Sequence, residues 1–230
     1  MFDRPHHNAI AMVLKALDAK LLLQAEAWFG GGTAIVLQLG EYRESVDIDF
    51  LCASQDGYRL LREATFGGSL DRIMAPGSGV VQLREVRADQ YGIRTQIEAD
   101  GTRIKLEIIR EGRIDLAGAM DARLGIPLLS RIDMYCEKLL ANADRYADRS
   151  VLNRDMIDLS MMISRWGAIP EAAWAKAEGA YGQSIRAAFE KAVTMVRDPV
   201  WLAKCATGMA IDSKIAEEIL AVNGGPTTPE

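Results

Sequence analysis

The stretch Phe29 to Leu51, FGGGTAIVLQLGEYRESVDIDFL, brings together the residue types that phosphate chemistry needs. At its end Asp47 and Asp49 are separated by one residue and flanked by Val46, Ile48, Phe50 and Leu51, which are strand formers. Strand alternation puts both aspartates on one face and turns Val46, Ile48 and Phe50 to a core. The two carboxylates then start about 6 to 7 Å apart at the backbone and repel by roughly 2 to 3 kcal/mol at an effective dielectric of about 20. A cation must sit with them. Arg43 or another basic side chain would make an ordinary ion pair, whereas Mg²⁺ prefers carboxylate oxygens shared with substrate phosphates.

Upstream, Gly30, Gly31 and Gly32 allow close backbone approach, and Thr33 stands where a helix N-cap is expected. Ala34, Ile35, Leu37 and Leu39 suit a short helix with a buried side, stopped by Gly40. This is either a tight helix-entry turn or a phosphate site built from helix N-terminal amides. It is not a Walker A loop, because the Gly-Lys-Ser/Thr element is missing. A phosphate grip followed by paired metal carboxylates points to nucleotide chemistry.

Gly31-Gly32-Thr33, a spacer, and Asp47-Ile48-Asp49 resemble the signature of the DNA polymerase β-like nucleotidyltransferase superfamily. More narrowly, Gly31-Gly32-Thr33-Ala34 with Arg43-x-Ser45-x-Asp47-x-Asp49 resembles the AbiEii/AbiGii toxin family of nucleotidyltransferases, toxins of bacterial type IV toxin-antitoxin pairs. Glu137-Lys138-Leu139-Leu140-Ala141 and Arg154-Asp155-x-x-Asp158-Leu159 resemble two further elements of that family, so the resemblance runs from about Gly30 to Leu159. It implies Mg²⁺-dependent (Mn²⁺ as an alternative) transfer of a nucleoside monophosphate from an NTP to an RNA acceptor, a tRNA 3′ end, with a separately encoded antitoxin as partner. Asp47 and Asp49 would bind metal with Glu107 as third carboxylate, and Gly31, Gly32 and Thr33 would hold phosphate. Lys138 would contact the triphosphate, with Asp155 and Asp158 holding that lysine or a catalytic water. Ser45 would touch phosphate or merely end the turn. Without the resemblance, Lys138, Asp155 and Asp158 read as a helix-to-helix salt bridge, and Lys105 with Glu107 as an ion pair on an exposed sheet face.

The elements that must position these residues are an α/β (α+β) arrangement: a small mixed, largely antiparallel sheet of nucleotidyltransferase type flanked by helices, followed by a C-terminal helical region. The chain has 230 residues, 49% hydrophobic and 26% charged, with a net charge of −5, which is ordinary for a globular protein. Ile10 to Trp28 reads as one long helix delivering the chain into the glycine turn, with His6 and His7 before it as cap or staple. Ser54 caps a helix through Tyr58, Leu60, Leu61 and Ala64, ended by Phe66-Gly67-Gly68, and Pro76 to Gly79 is a loop. Strands follow at Val80–Val86, Tyr91–Ile97 and Thr102–Ile109, joined in a meander whose second turn carries Asp100-Gly101. Arg84, Arg87, Arg94, Arg103, Lys105, Arg110 and Arg113 make this meander basic, either as a solvated edge or as a phosphate track; the overall acidity argues against tight, indiscriminate nucleic-acid binding.

From Pro127 the pattern becomes helical, so residues 1–127 are expected as the nucleotidyltransferase-like domain, 128–222 as a helical region completing the nucleotide site and 223–230 as a disordered tail. Helices are expected over Ser130–Arg145, with Ile132, Tyr135, Cys136, Leu139 and Leu140 buried, and over Arg154–Trp166. Trp174, Tyr181, Phe189, Val193 and Trp201 would serve the core of the last part. Cys52, Cys136 and Cys205 lack metal-ligand spacing and are expected reduced and buried; two adjacent histidines support no hydrolase triad. No run approaches the roughly 20 apolar residues of a membrane span, the opening residues do not read as a signal peptide, and a cytoplasmic location is expected. Two rival functions use the same residues: a small-molecule nucleotidyltransferase, which would have a compact acidic acceptor pocket, and a catalytically silent NTP- or partner-binding module.

Overall fold

The apolar periodicity between Ile10 and Trp28 does not run through as one helix. In the computed structural model, which describes residues 1–224, helix α1 spans Pro5–Ala16, α2 spans Ala19–Gln24 and strand β1 spans Ala27–Gly30. Asp18 makes the break: its carboxylate accepts from the amides of Lys20 and Leu21, capping α2, while its own amide donates to the Ile73 carbonyl at 3.0 Å. Pro5 opens α1, a position that tolerates its missing N–H. His6 and His7 therefore lie inside the helix rather than before it. His7 is fully buried, and His6 Nε2 donates to the Val46 carbonyl at 3.0 Å.

The chain continues as α3 (Gly31–Gln38), β2 (Asp47–Cys52), α4 (Gln55–Ala64), β3 (Val81–Gln82), β4 (Arg87–Ala88), β5 (Gly92–Ala99), β6 (Thr102–Arg110), β7 (Gly118–Asp121) and β8 (Ile126–Leu129). Then come α5 (Arg131–Arg145), α6 (Arg154–Trp166), α7 (Glu171–Tyr181), α8 (Ser184–Val196), α9 (Pro199–Gly208) and α10 (Ser213–Val222). These elements form two compact units: Met1–Ala34 with Val46–Ser130, and Ile35–Ser45 with the chain from Arg131 onward. The second unit thus begins three residues later than the helical pattern suggested, because β8 carries the first unit to Ser130, and it also claims an early segment, Ile35–Ser45.

In the first unit the strand order is β3-β5-β6-β2-β1-β8-β7, with β4 also on β5. The pairs β2–β6 and β1–β8 are parallel and the others antiparallel, so the sheet is mixed and largely antiparallel, as expected. The β5–β6 hairpin turns at Asp100 and Gly101, both with positive φ, the twist-matched geometry that Asp-Gly favours. The first expected strand, Val80–Val86, shrinks to β3, and β4, which follows it, together with β7 and β8, all too short and exposed in part to alternate clearly, are additions. One sheet face is packed by α1 on β5 and β6 and by α4 on β2. It buries Ile48, Phe50, Ile97 and Ile104, whereas Val46 precedes the strand and is 43% exposed, contrary to its expected place in the core. Ser54 caps α4 by accepting from the Gly57 amide at 3.1 Å.

In the second unit α5 packs on α6, α7 and α8, and α10 on α6 and α9. Its core is Met134, Tyr135, Cys136, Leu139 and Leu140 against Met156, Ile157, Leu159 and Met161; Ile132, expected inside, is exposed. Of the five large residues assigned to the core of the last helices only Trp201 is buried, because alanines (Ala173, Ala177, Ala188, Ala192) occupy the contacts and let the helices close. Trp174 and Phe189 meet edge to face at the margin, 5.3 Å between centroids. Asn223, assigned to a disordered tail, instead donates to Ser160 Oγ at 2.8 Å and to the Ile219 carbonyl at 2.7 Å; residues 225–230 of that tail lie outside the described residues. The three cysteines are buried without a disulfide, and burial pushes the thiols of Cys52 and Cys205 up to about 11. Among the described residues no helix is long and apolar enough to cross a membrane.

A Cβ at Gly57 would lie 2.0 Å from the Ala25 carbonyl oxygen. Gly57→Ala is therefore expected to cost about 1 to 3 kcal/mol, read as a lower urea midpoint with the far-ultraviolet circular dichroism unchanged before the transition.

Candidate active site

Alternation along β2 buries Ile48 and Phe50 and leaves Asp47 and Asp49 half-buried on the opposite face. Parallel pairing with β6 sets Lys105 beside Asp47 and Glu107 beside Asp49, so four charged side chains share that face. On the other side of β2, Gly30 of β1 is the register partner of Asp49. The next residue, Gly31, has φ of +67°, and a Cβ there would be 2.7 Å from Asp49 Oδ2. Only glycine lets the backbone lie against that carboxylate in this conformation.

Helix α3 starts at Gly31, three residues before the Ala34 start expected with Thr33 as its cap, and Thr33 is not its cap. Thr33 is buried within the first turn, where its hydroxyl donates to the Asp47 carbonyl at 2.5 Å. That bond ties the start of the helix to the start of the aspartate strand. The amides of Gly31, Gly32 and Thr33 occupy the helix N-terminus, where the peptide dipoles favour an anion. At the other end the Glu41 amide returns to the Val36 carbonyl at 2.9 Å across Gly40, which has φ of +83°, the glycine stop read from the sequence.

Of the two readings of Glu107, the ion pair on the sheet face is the one its carboxylate makes. Glu107 stands in register beside Asp49, yet its carboxylate meets Lys105 Nζ at 2.6 Å and Arg94 Nε at 3.4 Å. Asp47 and Asp49 fit a hard divalent cation as a pair of oxygen donors, but among the described residues no group of three or more His, Cys, Asp or Glu side chains is gathered for a metal. Arg43, the candidate counter-ion for the two aspartates, is engaged elsewhere. Much of the basic meander is also neutralised locally, with Arg94 on Asp89 at 3.0 Å, Arg103 on Glu98 at 3.9 Å and Arg113 on Glu111 at 2.6 Å.

In the second unit Asp158 is fully buried and accepts from Tyr42 Oη at 2.5 Å, Arg43 Nε at 2.7 Å and Arg43 Nη2 at 2.9 Å. Its other close partner is Lys138 Nζ, at 2.6 Å. Lys138 also meets Asp155 Oδ1 at 2.9 Å, and Arg145 holds Asp155 through bonds of 2.6 and 2.9 Å. Burial alone would raise both aspartates, but Arg43 and Lys138 outweigh it at Asp158, and Lys138 and Arg145 at Asp155, so both carboxyls lie below their usual range. The Tyr42 hydroxyl is pushed far up by burial and by the Asp158 charge. The salt bridge between α5 and α6 is thus present, and Asp155 and Asp158 do hold Lys138. Tyr42, Arg43 and Arg145 were missed as members. Arg145 lies seven residues beyond Lys138, two helical turns along α5, and that spacing was the available signal. Ser45, half-buried, ends the Ile35–Ser45 segment of this unit.

The sequence pattern of the nucleotidyl transferase AbiEii toxin family, type IV TA system, matches residues 13–211. The chain belongs to that family and is a nucleotidyltransferase. Among solved structures it is similar to a candidate nucleotidyltransferase from H. pylori, with 16% identity and a TM-score of 0.49 over 95% of this chain and 92% of that one. It is also similar to JHP933 from Helicobacter pylori, with the same identity and score over 97% and 92%. At that identity and score neither likeness bears on the chemistry. No curated protein matches.

Asp158→Asn would leave Arg43 and Lys138 buried beside a neutral group, at an expected cost of about 3 to 5 kcal/mol, measurable by urea denaturation. Because the folded carboxyls are depressed, their stabilisation is complete above about pH 4. It declines as the pH falls below that and is lost only past the native values. The wild-type urea midpoint should therefore fall from pH 5 to pH 3, and the slope should be shallower in Asp158→Asn.

Proposed function

We propose that the chain transfers a nucleoside monophosphate from an NTP to an RNA acceptor, a tRNA 3′ end, in a divalent-metal-dependent reaction, and so acts as a growth-arresting toxin opposed by a separately encoded antitoxin. The supporting observation is the pair Asp47 and Asp49 on one strand face with the backbone of Gly31 against Asp49. An acceptor hydroxyl oxygen would attack the α-phosphorus, the bond to the β-phosphate oxygen would break, and pyrophosphate would leave. The amides of Gly31, Gly32 and Thr33 would bind phosphate oxygens at the start of α3 and orient the triphosphate. Asp47 and Asp49 would hold Mg²⁺ or Mn²⁺, which when bound supplies charge stabilisation at the phosphoryl oxygens and activates the attacking oxygen.

Glu107 would join the two aspartates by exchanging Lys105 and Arg94 for the cation. Both partners are nearly half exposed, at 48% and 42%, while Glu107 is 15% exposed, so the two cations have room to swing into solvent. For Lys138 the role at the triphosphate rests on the family element Glu137 to Ala141; its two aspartates keep the ammonium in one position. Ser45 as a phosphate contact rests likewise on the Arg43-x-Ser45-x-Asp47 pattern.

The test is incubation of the purified chain with total RNA, Mg²⁺ and each α-³²P-labelled NTP in turn, beside Asp47→Asn. Labelled RNA is expected with the wild type, and a loss of about 100-fold or more in the variant, the scale of several kcal/mol of charge stabilisation. Undiminished labelling by Asp47→Asn would sink the assignment. Label recovered in a small molecule instead of RNA would keep the chemistry and replace the acceptor.

Gly31→Ala should reproduce most of that loss and also lower the thermal midpoint by about 2 to 8 °C, because alanine is strained at φ of +67° and its methyl would press on the Asp49 carboxylate.

A further inference from the structure

The first unit carries a concave site on the sheet face opposite Asp47 and Asp49. A cavity of about 640 Å³ lies beside α4, between that helix, the residues after it and the end of β6, a size typical of ligand pockets. Its charged lining is Arg59, Arg62 and Arg110 against the single carboxylate of Glu63. In a chain whose net charge is −5, this is a local reversal of sign.

The aromatic lining is Tyr58 and Phe66. Tyr58 is fixed: its hydroxyl donates to the Asp89 carbonyl at 2.7 Å, and the Arg110 guanidinium lies 6.0 Å from its ring centre. Phe66 is 90% exposed at the rim, an apolar ring left in water without a packing reason in its own unit. Gln55 and Gln90 add amide groups that both donate and accept. Arg59 pairs with the exposed Asp56 at 3.2 Å, a pair that an incoming phosphate displaces at little cost.

We infer that this pocket binds a single-stranded segment of the acceptor RNA, with Arg59, Arg62 and Arg110 on phosphates and Phe66 stacking on a base. Guanidinium forks suit phosphate oxygens, and an exposed ring beside a basic groove is the usual platform for unpaired bases. The reacting NTP is not the occupant. Arg110 and Glu107 are three residues apart on β6 and so face opposite ways, about 10 Å apart along the strand. A chain molecule spans that separation, whereas a mononucleotide bound at Asp49 does not also fill the pocket. The inference rests on the RNA-acceptor reading above.

The experiment measures anisotropy of a fluorescein-labelled single-stranded RNA 20-mer with the full chain, with Arg59→Ala/Arg62→Ala and with Phe66→Ala, at several salt concentrations. Expected are a loss of affinity of about tenfold or more in the double variant, a salt slope lower by about 0.7 per arginine, and a loss of about 5- to 100-fold for Phe66→Ala. The KM for NTP in the labelling assay should stay at the wild-type value. Unchanged RNA affinity in both variants overturns the inference, as does a wild type that binds no RNA. Equal competition by an acidic peptide of the same charge also overturns it and marks a protein-docking surface. Failure of the nucleotidyl-transfer reading appears separately, as undiminished labelling by Asp47→Asn, and leaves the binding measurement interpretable.

Discussion

Asp158 sets the terms for the second unit. A carboxylate taken wholly out of water costs several kcal/mol unless its oxygens are fully paired, and here Tyr42, Arg43 and Lys138 supply four close donors. Those donors come from the Ile35–Ser45 segment and from α5, so this one carboxylate of α6 joins three separated pieces of chain. The early segment is the covalent link between the glycine turn and Asp47. Its conformation is thus decided by a residue more than a hundred positions downstream, which explains why residues 35–45 cluster with the C-terminal helices.

In the first unit a different constraint acts, the period of two along β2 and β6. Hydrophobic burial of Ile48, Phe50, Leu106 and Ile108 on one face leaves no choice about where Asp47, Asp49, Lys105 and Glu107 project. The parallel register then decides which charges are neighbours. A shift of one residue would have turned Glu107 into the core. Close approach of Gly31 to Asp49 and the bond from Thr33 to the Asp47 carbonyl add the helix start to the same edge, so the helix-start amides and the carboxylates come from chain segments only about fifteen residues apart.

The two sites described for this unit divide along the sheet. The carboxylates use the face without α1 and α4, and the arginine-lined cavity uses the face that α4 covers. Much of the positive charge written into residues 84–113 does not form a track, since Arg94, Arg103, Lys105 and Arg113 are spent on carboxylates of the same strands and turns. The positive site that does emerge draws two of its three arginines, Arg59 and Arg62, from α4.

Local physics made part of this protein legible from the chain alone. The Asp-x-Asp strand, the glycine stop at Gly40, the Ser54 cap and the Asp100-Gly101 hairpin depend on backbone conformations that neighbouring residues dictate, and the family elements from Gly31 to Leu159 lie within the matched residues 13–211. Where expectation failed, a distant partner had intervened. Asp18 and its bond to Ile73 split the first helix, burial in the middle of the sheet turned Ala27–Gly30 into a strand, and small residues rather than aromatics filled the last helix contacts. The partners of charged groups were least legible: Arg43 could serve Asp47 or Asp158, and Glu107 could serve a metal or Lys105. Alternation and helical period name the face on which a charge sits. A counter-charge two residues along, such as Lys105 for Glu107, is within reach of local geometry, but only the packing of segments remote in sequence brings Arg43 and Lys138 within 3 Å of Asp158, because such pairing is decided by distance and desolvation, and neither is written in the order of residues.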